Sequence, residues 1–197
     1  MIKIYLAGAT GQLGEYFKFR IKKKKEYKLF YKKIDLSKKS SFLFLKKINP
    51  DVIINCAGLT SVEECELNYT KALRLNYLIP KNLNDYCIKE GKYLIHFSTD
   101  HVYDSFDNIE GNLKILNNYA KSKLKGEKSI DISKFLVLRI NFFGHYKKKK
   151  GLLNWIYKSN KSKEQINLYN NIFFSPLHIK TVFEILFKII KLKKTGI

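Results

Sequence analysis

The stretch Ile2-Lys3-Ile4-Tyr5-Leu6-Ala7-Gly8-Ala9-Thr10-Gly11-Gln12-Leu13-Gly14 decides the fold class. A short apolar run, Ile2 to Ala7, ends in a glycine turn, and Leu13, Phe17 and Ile21 follow at helical spacing. That order reads as strand, tight loop, helix. Each glycine has a physical task. Without a Cβ, Gly8 permits the sharp turn, Gly11 lets the backbone approach a pyrophosphate, and Gly14 lets the helix pack closely on the strand. A pyrophosphate would then rest on unpaired N–H groups at the positive end of a helix, among Gly8, Thr10, Gly11, Gln12, Leu13 and Gly14. The bare alternative is a glycine turn that only links strand to helix.

Outward from this turn, strand and helix alternate. Tyr27–Tyr31 reads as a second strand, Ser40–Ile48 as a helix, and Asp51–Asn55 as a third strand introduced by Pro50. Helices follow over Val62–Leu75 and Pro80–Glu90, then a strand over Lys92–Ser98. An Asp- and Asn-rich loop leads to a helix from Ala120 to Ser129 and a strand from Phe135 to Ile140. Such alternation implies an α/β fold, a Rossmann-type doubly wound parallel sheet with helices on both faces. Beyond the lysine run Lys147–Lys150 the pattern loosens. It holds a helix over Leu152–Lys158, a short apolar Ile172-Phe173-Phe174 and a final helix over His178–Lys191. The pattern thus divides the chain near residue 145, into 1–145 and 146–197.

Tyr119 and Lys123 stand four residues apart at the start of a predicted helix, so both side chains leave one face. Reducing a ketone needs hydride at carbon and a proton at oxygen. A free phenol, with a pKa of about 10, is a reluctant acid near neutrality. An adjacent ammonium is expected to lower the tyrosine pKa while holding cofactor ribose hydroxyls. In a chain with 13 tyrosines and 38 Lys and Arg residues the pair also arises by chance as a surface helix pair. Ser98-Thr99-Asp100, however, ends the fourth strand at the carboxyl edge, where a parallel sheet presents its ligands. There Thr99 can hydrogen-bond the reacting carbonyl oxygen beside Tyr119. The other reading of the cluster is a helix cap or turn.

The spacing GxxGxxG resembles that of the extended short-chain dehydrogenase family. Asp35-Leu36 matches that family's adenine contact, and Asn55-Cys56-Ala57-Gly58 the turn under its nicotinamide ribose. Asn76 matches an asparagine that supports the active-site region. The longer strings Phe97-Ser98-Thr99-Asp100-His101-Val102-Tyr103-Asp104 and Tyr119-Ala120-Lys121-Ser122-Lys123-Leu124-Lys125-Gly126-Glu127 resemble the dTDP-4-dehydrorhamnose reductase family, over nearly the whole chain. That resemblance implies reduction of the 4-keto group of a nucleotide-linked 6-deoxy sugar by NADPH or NADH. It implies Thr99 as hydroxyl partner, Tyr119 as proton donor, Lys123 as tuner and ribose ligand, and Asp100 at the substrate with His101. Phe142 is expected as an apolar wall. Magnesium enters only through the family; no separate ligand cluster marks a metal site.

Three local departures stand out. His101 replaces the family's usual tyrosine, Leu116-Asn117-Asn118 replaces a proline-containing loop, and Arg139 lacks the tryptophan that often follows. Phe174-Ser175-Pro176-Leu177-His178 resembles the segment returning to the core, and Gly196-Ile197 the start of a further strand. Family members continue for several dozen residues, so the resemblance implies a cofactor-binding domain with the catalytic residues over 1–145 and a small incomplete substrate lobe with a returning core helix over 146–197: a chain naturally shortened, a broken reading frame, or one completed by a partner, with a homodimer as the other partner expected.

A chain of 197 residues, 45% hydrophobic, can bury a full core. It has no run approaching about eighteen apolar residues and no signal-peptide pattern, so no membrane partner and a cytoplasmic location are expected. Cys56, Cys65 and Cys87 lack CxxC spacing, and with four histidines suggest neither disulfide framework nor zinc site. The net charge of +21 allows nucleic-acid binding in principle. No aromatic-and-basic RNA motif accompanies it, so no specific nucleic-acid partner is expected. The charge would speed arrival of an anionic nucleotide. Lys32 and Lys33, after the second strand with no carboxylate before Asp35, lean toward the 2′-phosphate of NADPH. The remaining alternative is a cofactor-binding regulatory or interaction subunit of the same family without turnover.

Overall fold

The computed structural model describes residues 1–103, 113, 115–144, 152–168, 170 and 175–197. Asp104 with most of the Asp- and Asn-rich loop, Lys147–Lys150 and Ile172-Phe173-Phe174 lie outside the described residues. Along the chain run β1 (Ile2–Ala7), α1 (Gln12–Ile21), β2 (Tyr27–Phe30), α2 (Phe42–Ile48) and β3 (Val52–Asn55). Then come α3 (Val62–Leu67), α4 (Tyr69–Leu73), α5 (Ile79–Glu90), β4 (Tyr93–Ser98) and α6 (Asn118–Glu127). β5 (Leu136–Arg139), β6 (Phe142–Phe143), α7 (Leu152–Ser162), β7 (Leu177–His178) and α8 (Ile179–Leu192) complete the set.

β1 to β5 form one sheet in the order β2-β1-β3-β4-β5, every pairing parallel. A parallel sheet is covered on both faces, so its central strands read as unbroken apolar runs. All residues of β3 and β4 are buried accordingly. On one face α1 and α8 pack together: Phe17 meets Phe97 of β4 at a 5.5 Å ring separation and Phe183 of α8 at 5.8 Å. Ile179, Val182, Phe183, Leu186, Phe187 and Ile190 recur every three or four residues along α8 and are all buried, the stripe a helix needs to close a layer. α5 and α6 cover β4 from the opposite face.

The order of strands reverses between β1 and β3, which opens a crevice outside the carboxyl ends of those strands. The glycine turn leaves β1 there and Asn55-Cys56-Ala57-Gly58 leaves β3 there. The outer edge of β5 carries one further parallel bridge, Leu136 to Gly196, with Gly196 N–H donating to Phe135 O at 3.0 Å and Val137 N–H to Gly196 O at 2.9 Å. β6 and β7 form a separate two-stranded parallel pair.

One helix differs from expectation. Val62–Leu75 is not continuous: it breaks at Asn68 (φ −142°, ψ 77°), whose side chain accepts the Lys71 N–H at 2.8 Å and so starts α4 while ending α3. An asparagine side chain competes with the helical ladder in this way. A π-helical turn over Arg74–Leu78 then joins α4 to α5. Elsewhere the adjustments are small, as where a 3-10 turn, Lys39–Ser41, occupies the first residues of the expected Ser40 helix.

Candidate active site

Three turns converge at the crevice. Gly8 has φ +76°, and a Cβ there would lie 2.5 Å from the Cys56 carbonyl carbon, so the β1 and β3 turns are in backbone contact. A Cβ on Gly14 would meet Gly8 O at 2.2 Å, which enforces the close helix–strand approach. Gly11 differs: a Cβ there would meet nothing closer than 3.5 Å. The chain's own packing therefore leaves room at Gly11, and α1 opens on this residue with no side-chain cap. Open helix N–H groups over a smooth glycine surface fit an incoming pyrophosphate. Thr10 and Gly11 are exposed, Gln12 is half-buried with its Nε2 donating to Gly144 O at 3.3 Å, and Leu13 is buried in the core.

After β2, Asp35 is tied to its own turn: its Oδ1 accepts from Ser37 N–H (3.1 Å) and Ser37 Oγ (2.6 Å), and these bonds hold its carboxyl below the usual range. Leu36 is only 2% exposed, so its side chain belongs to the core and its backbone alone is left to meet a ring.

The β3 turn is held by two asparagines. Asn55 Oδ1 accepts from Ala57 N–H at 3.0 Å, which fixes the amide orientation so that Nδ2 donates to His96 Nδ1, also at 3.0 Å. Its partner His96 lies fully buried in β4, and burial, helped by the charge of Lys123, keeps the ring neutral well below its ordinary pKa. Asn76, in the π-helical turn, accepts from Leu59 N–H (2.8 Å) and donates to Leu59 O and Ser122 Oγ (2.9 Å each). It thereby joins the β3 turn to α6. π-Helical turns cluster at functional sites because they re-aim one side chain inside a helix. A Cβ on Gly58 would sit 2.8 Å from Asn76 Oδ1 and 3.9 Å from Lys123 Nζ, which brings that turn beside the lysine. Cys56 is partly exposed at this point, with its thiol pushed up by burial and pulled down by Lys123.

Thr99 and Tyr119 come close at the end of β4, and Lys123 follows Tyr119 one turn along α6 but directs its Nζ to β4. Asn117 caps α6 by accepting the Ala120 N–H at 2.7 Å, which starts the helix one residue before Tyr119. Thr99 lies near enough to Tyr119 to act on its phenol, and its own Oγ1 accepts from His101 N–H at 3.2 Å. His101 stands edge-on to the Tyr119 ring at 5.5 Å. Lys123 is 5% exposed and donates from Nζ to Phe97 O at 2.6 Å. The electrostatics depart from the sequence expectation. Burial raises the Tyr119 phenol, Thr99 works against that, and the Asp100 carboxylate adds to it. Burial also pushes Lys123 down to about 8, against the pull of Glu127. In this arrangement the ammonium serves a carbonyl, and desolvation decides the phenol.

Arg139 has a structural part that its neighbours in sequence do not reveal. Its guanidinium grips Glu127 of α6 at 2.7 Å and donates to Tyr103 Oη at 2.7 Å, with the Glu127 side chain 1% exposed. Phe142 is half-buried and packs against the core cluster. Among the described residues no group of three or more His, Cys, Asp or Glu stands together as a metal site.

Residues 2–196 match the family model described as the RmlD substrate binding domain. The chain belongs to that family. A dTDP-4-dehydrorhamnose reductase of Aggregatibacter actinomycetemcomitans is 30% identical over 157 residues, covering 74% of this chain and 53% of that protein. The chain thus spans about half the length of this RmlD-family relative. Among solved structures, a hypothetical dTDP-4-dehydrorhamnose reductase from Sulfolobus tokodaii superposes with a TM-score of 0.88 at 27% identity, covering 99% of this chain and 74% of that one. A dTDP-4-dehydrorhamnose reductase from Bacillus anthracis in complex with NADP shares the fold at a TM-score of 0.88, with 24% identity and coverage of 100% and 73%. The Rossmann-type parallel sheet expected from the glycine turn is the fold of this family.

Proposed function

We propose that this RmlD-family chain reduces the 4-keto group of a nucleotide-linked 4-keto-6-deoxy sugar, as in the making of dTDP-L-rhamnose, with NADPH or NADH as reductant. The observation that carries the reading is the placement of buried Thr99 and Tyr119 at the carboxyl edge of β4, with Lys123 buried beside the β3 turn. Relatives named as dTDP-4-dehydrorhamnose reductases, one of them solved with NADP, support it. The reading divides the chain at residue 145, with cofactor binding and catalysis before it and part of a substrate lobe after it.

The turn at Gly8, Thr10, Gly11, Gln12, Leu13 and Gly14 would hold the pyrophosphate, Cys56-Ala57-Gly58 the nicotinamide ribose, and Asp35-Leu36 the adenine side. A reduced nicotinamide supplies hydride when bound there. Tyr119 does the rest of the acid chemistry: its hydroxyl gives a proton to the carbonyl oxygen as negative charge grows on it. Burial keeps Tyr119 a phenol at neutral pH, the protonation state an acid needs. Thr99 stands beside that hydroxyl, while Lys123, which donates to the Phe97 carbonyl, would also hold the ribose. Asp100, His101 and Phe142 would meet the sugar. No helix among the described residues is long and apolar enough to cross a membrane; our reading is a cytoplasmic enzyme, as a homodimer or with a partner that completes the C-terminal lobe.

Purified chain mixed with NADPH and dTDP-4-keto-6-deoxy sugar should lose reduced-nicotinamide absorbance only when the sugar is present. No sugar-dependent loss, or equal rates from wild type and Tyr119→Phe, would refute the proposal.

A further inference from the structure

Glu66, in the last turn of α3, reaches across 52 residues of sequence to the start of the Tyr119 helix. One carboxylate oxygen accepts the Asn118 backbone N–H at 2.6 Å and the other accepts from Asn118 Nδ2 at 2.7 Å. The preceding residue, Cys65, is fully buried in a cluster with Ala72 and Tyr119 itself. α3 therefore holds Tyr119 twice: its buried face touches the ring and its carboxylate ties down the backbone one residue earlier. A second tie lies further along the same helix, where Asn76 links Leu59 to Ser122.

Both ties originate at the segment that leaves the β3 turn, through Leu59 and through α3, which Ser61 starts by accepting the Glu64 N–H. The approach to α6 through Ile115, Leu116 and Asn117 contains no proline to fix its direction. Hydrogen bonds must set it. A carboxylate is also the right group at this place, because the first N–H groups of a helix have no internal acceptor and carry the positive end of its dipole.

We propose that Glu66 is a positioning residue for Tyr119: its carboxylate fork on Asn118 sets the height and rotation of the first turn of α6, so that the phenol meets Thr99 and the space above the β3 turn. The role rests on the reading of Tyr119 as proton donor. It assigns to α3 a part in catalysis without any contact with reacting atoms.

The test compares the full chain with Glu66→Ala, Glu66→Gln and Asn118→Ala. Glu66→Ala is expected to raise amide hydrogen exchange at residues 118–120 and to lower kcat, each about tenfold, the size of losing a helix-capping acceptor. KM for NADPH should stay within about twofold of wild type, since the glycine turn is untouched. The ¹³Cζ resonance of Tyr119, assigned by its loss in Tyr119→Phe, should shift or broaden. Glu66→Gln keeps an oxygen acceptor for the Asn118 N–H and should recover most of the loss. Asn118→Ala removes only one arm and should show the same pattern at smaller size, which keeps the question answerable if Glu66→Ala fails to fold. Wild-type exchange at 118–120 and wild-type kcat in Glu66→Ala would overturn the proposal, as would a Gln variant no better than Ala. Exchange and resonance need no substrate. A wild-type chain that reduced no keto sugar would sink the functional reading, and the cap would still be decided by those two signals.

Discussion

Burial makes the Tyr119 phenol less acidic, a handicap for a proton donor, so on the proposed function it yields its proton only as charge builds on a strongly basic oxygen. Tyr119→Phe should therefore keep cofactor binding and lower kcat by about 10² to 10⁴, the usual worth of a placed general acid; titration of NADPH fluorescence beside steady-state rates separates the two. Lys123 makes a second prediction, on stability. Its folded value of about 8 lies below the ordinary 10.5. Between those two values the unfolded chain binds more protons than the folded one, so this residue makes stability rise with pH across that window. Relative to Lys123→Met, the wild type should gain about 3 kcal/mol from pH 8 to pH 10.5 in urea unfolding. A constant difference between the two would contradict the buried, partly neutral amine. Thr99, Tyr119 and Lys123 were legible in the sequence because a helix repeat and a strand end place them with little freedom. The direction of the Tyr119 shift was not, since burial sets it and the Lys123 ammonium, which helical spacing puts on the same face, is taken up by the carbonyl of Phe97.

Helices α3 to α6 meet in a tight crossing where backbone touches backbone. A Cβ on Gly126 would stand 2.0 Å from Asn76 O. Gly126→Ala should push α6 away from the π-helical turn, lowering stability by about 1–3 kcal/mol and slowing turnover, and thermal melting beside kcat tests both. At the next residue, Glu127→Ala leaves Arg139 with its charge uncompensated in a nearly closed site. The loss should be about 3–5 kcal/mol, with Glu127→Gln costing less, as denaturant midpoints would reveal. Sequence periodicity located these helices well where apolar spacing was strong, as in α5 and α8. It missed the break at Asn68, because the apolar residues stay in helical phase across it and only the asparagine's bond to Lys71 interrupts the ladder. Glu66 and the Arg139–Glu127 pair were equally unreadable. Each joins residues far apart in sequence, and a lone charged residue on a helix looks the same whether solvated or bonded.

The whole molecule carries a net charge of +21, and a field of that sign attracts a polyanionic nucleotide. The association rate of NADPH should fall by about tenfold between about 0.01 and about 0.15 M salt, with dissociation nearly unchanged; stopped-flow fluorescence reads both, and a flat association rate would exclude steering. At this scale the parallel sheet was legible from strand–helix alternation, whereas strand order was not, because periodicity says which segments are strands and nothing about which lie side by side. The short bridge at the rim of that sheet has a bearing on how the protein behaves in bulk. A parallel edge strand offers a row of open donors and acceptors on which a foreign strand can grow. Gly196 covers β5 with a donor and an acceptor at that row, and mutual repulsion of like-charged copies discourages approach. Chains lacking residues 195–197, especially in high salt, should self-associate, and light scattering would record the clouding of a solution that the full chain leaves clear.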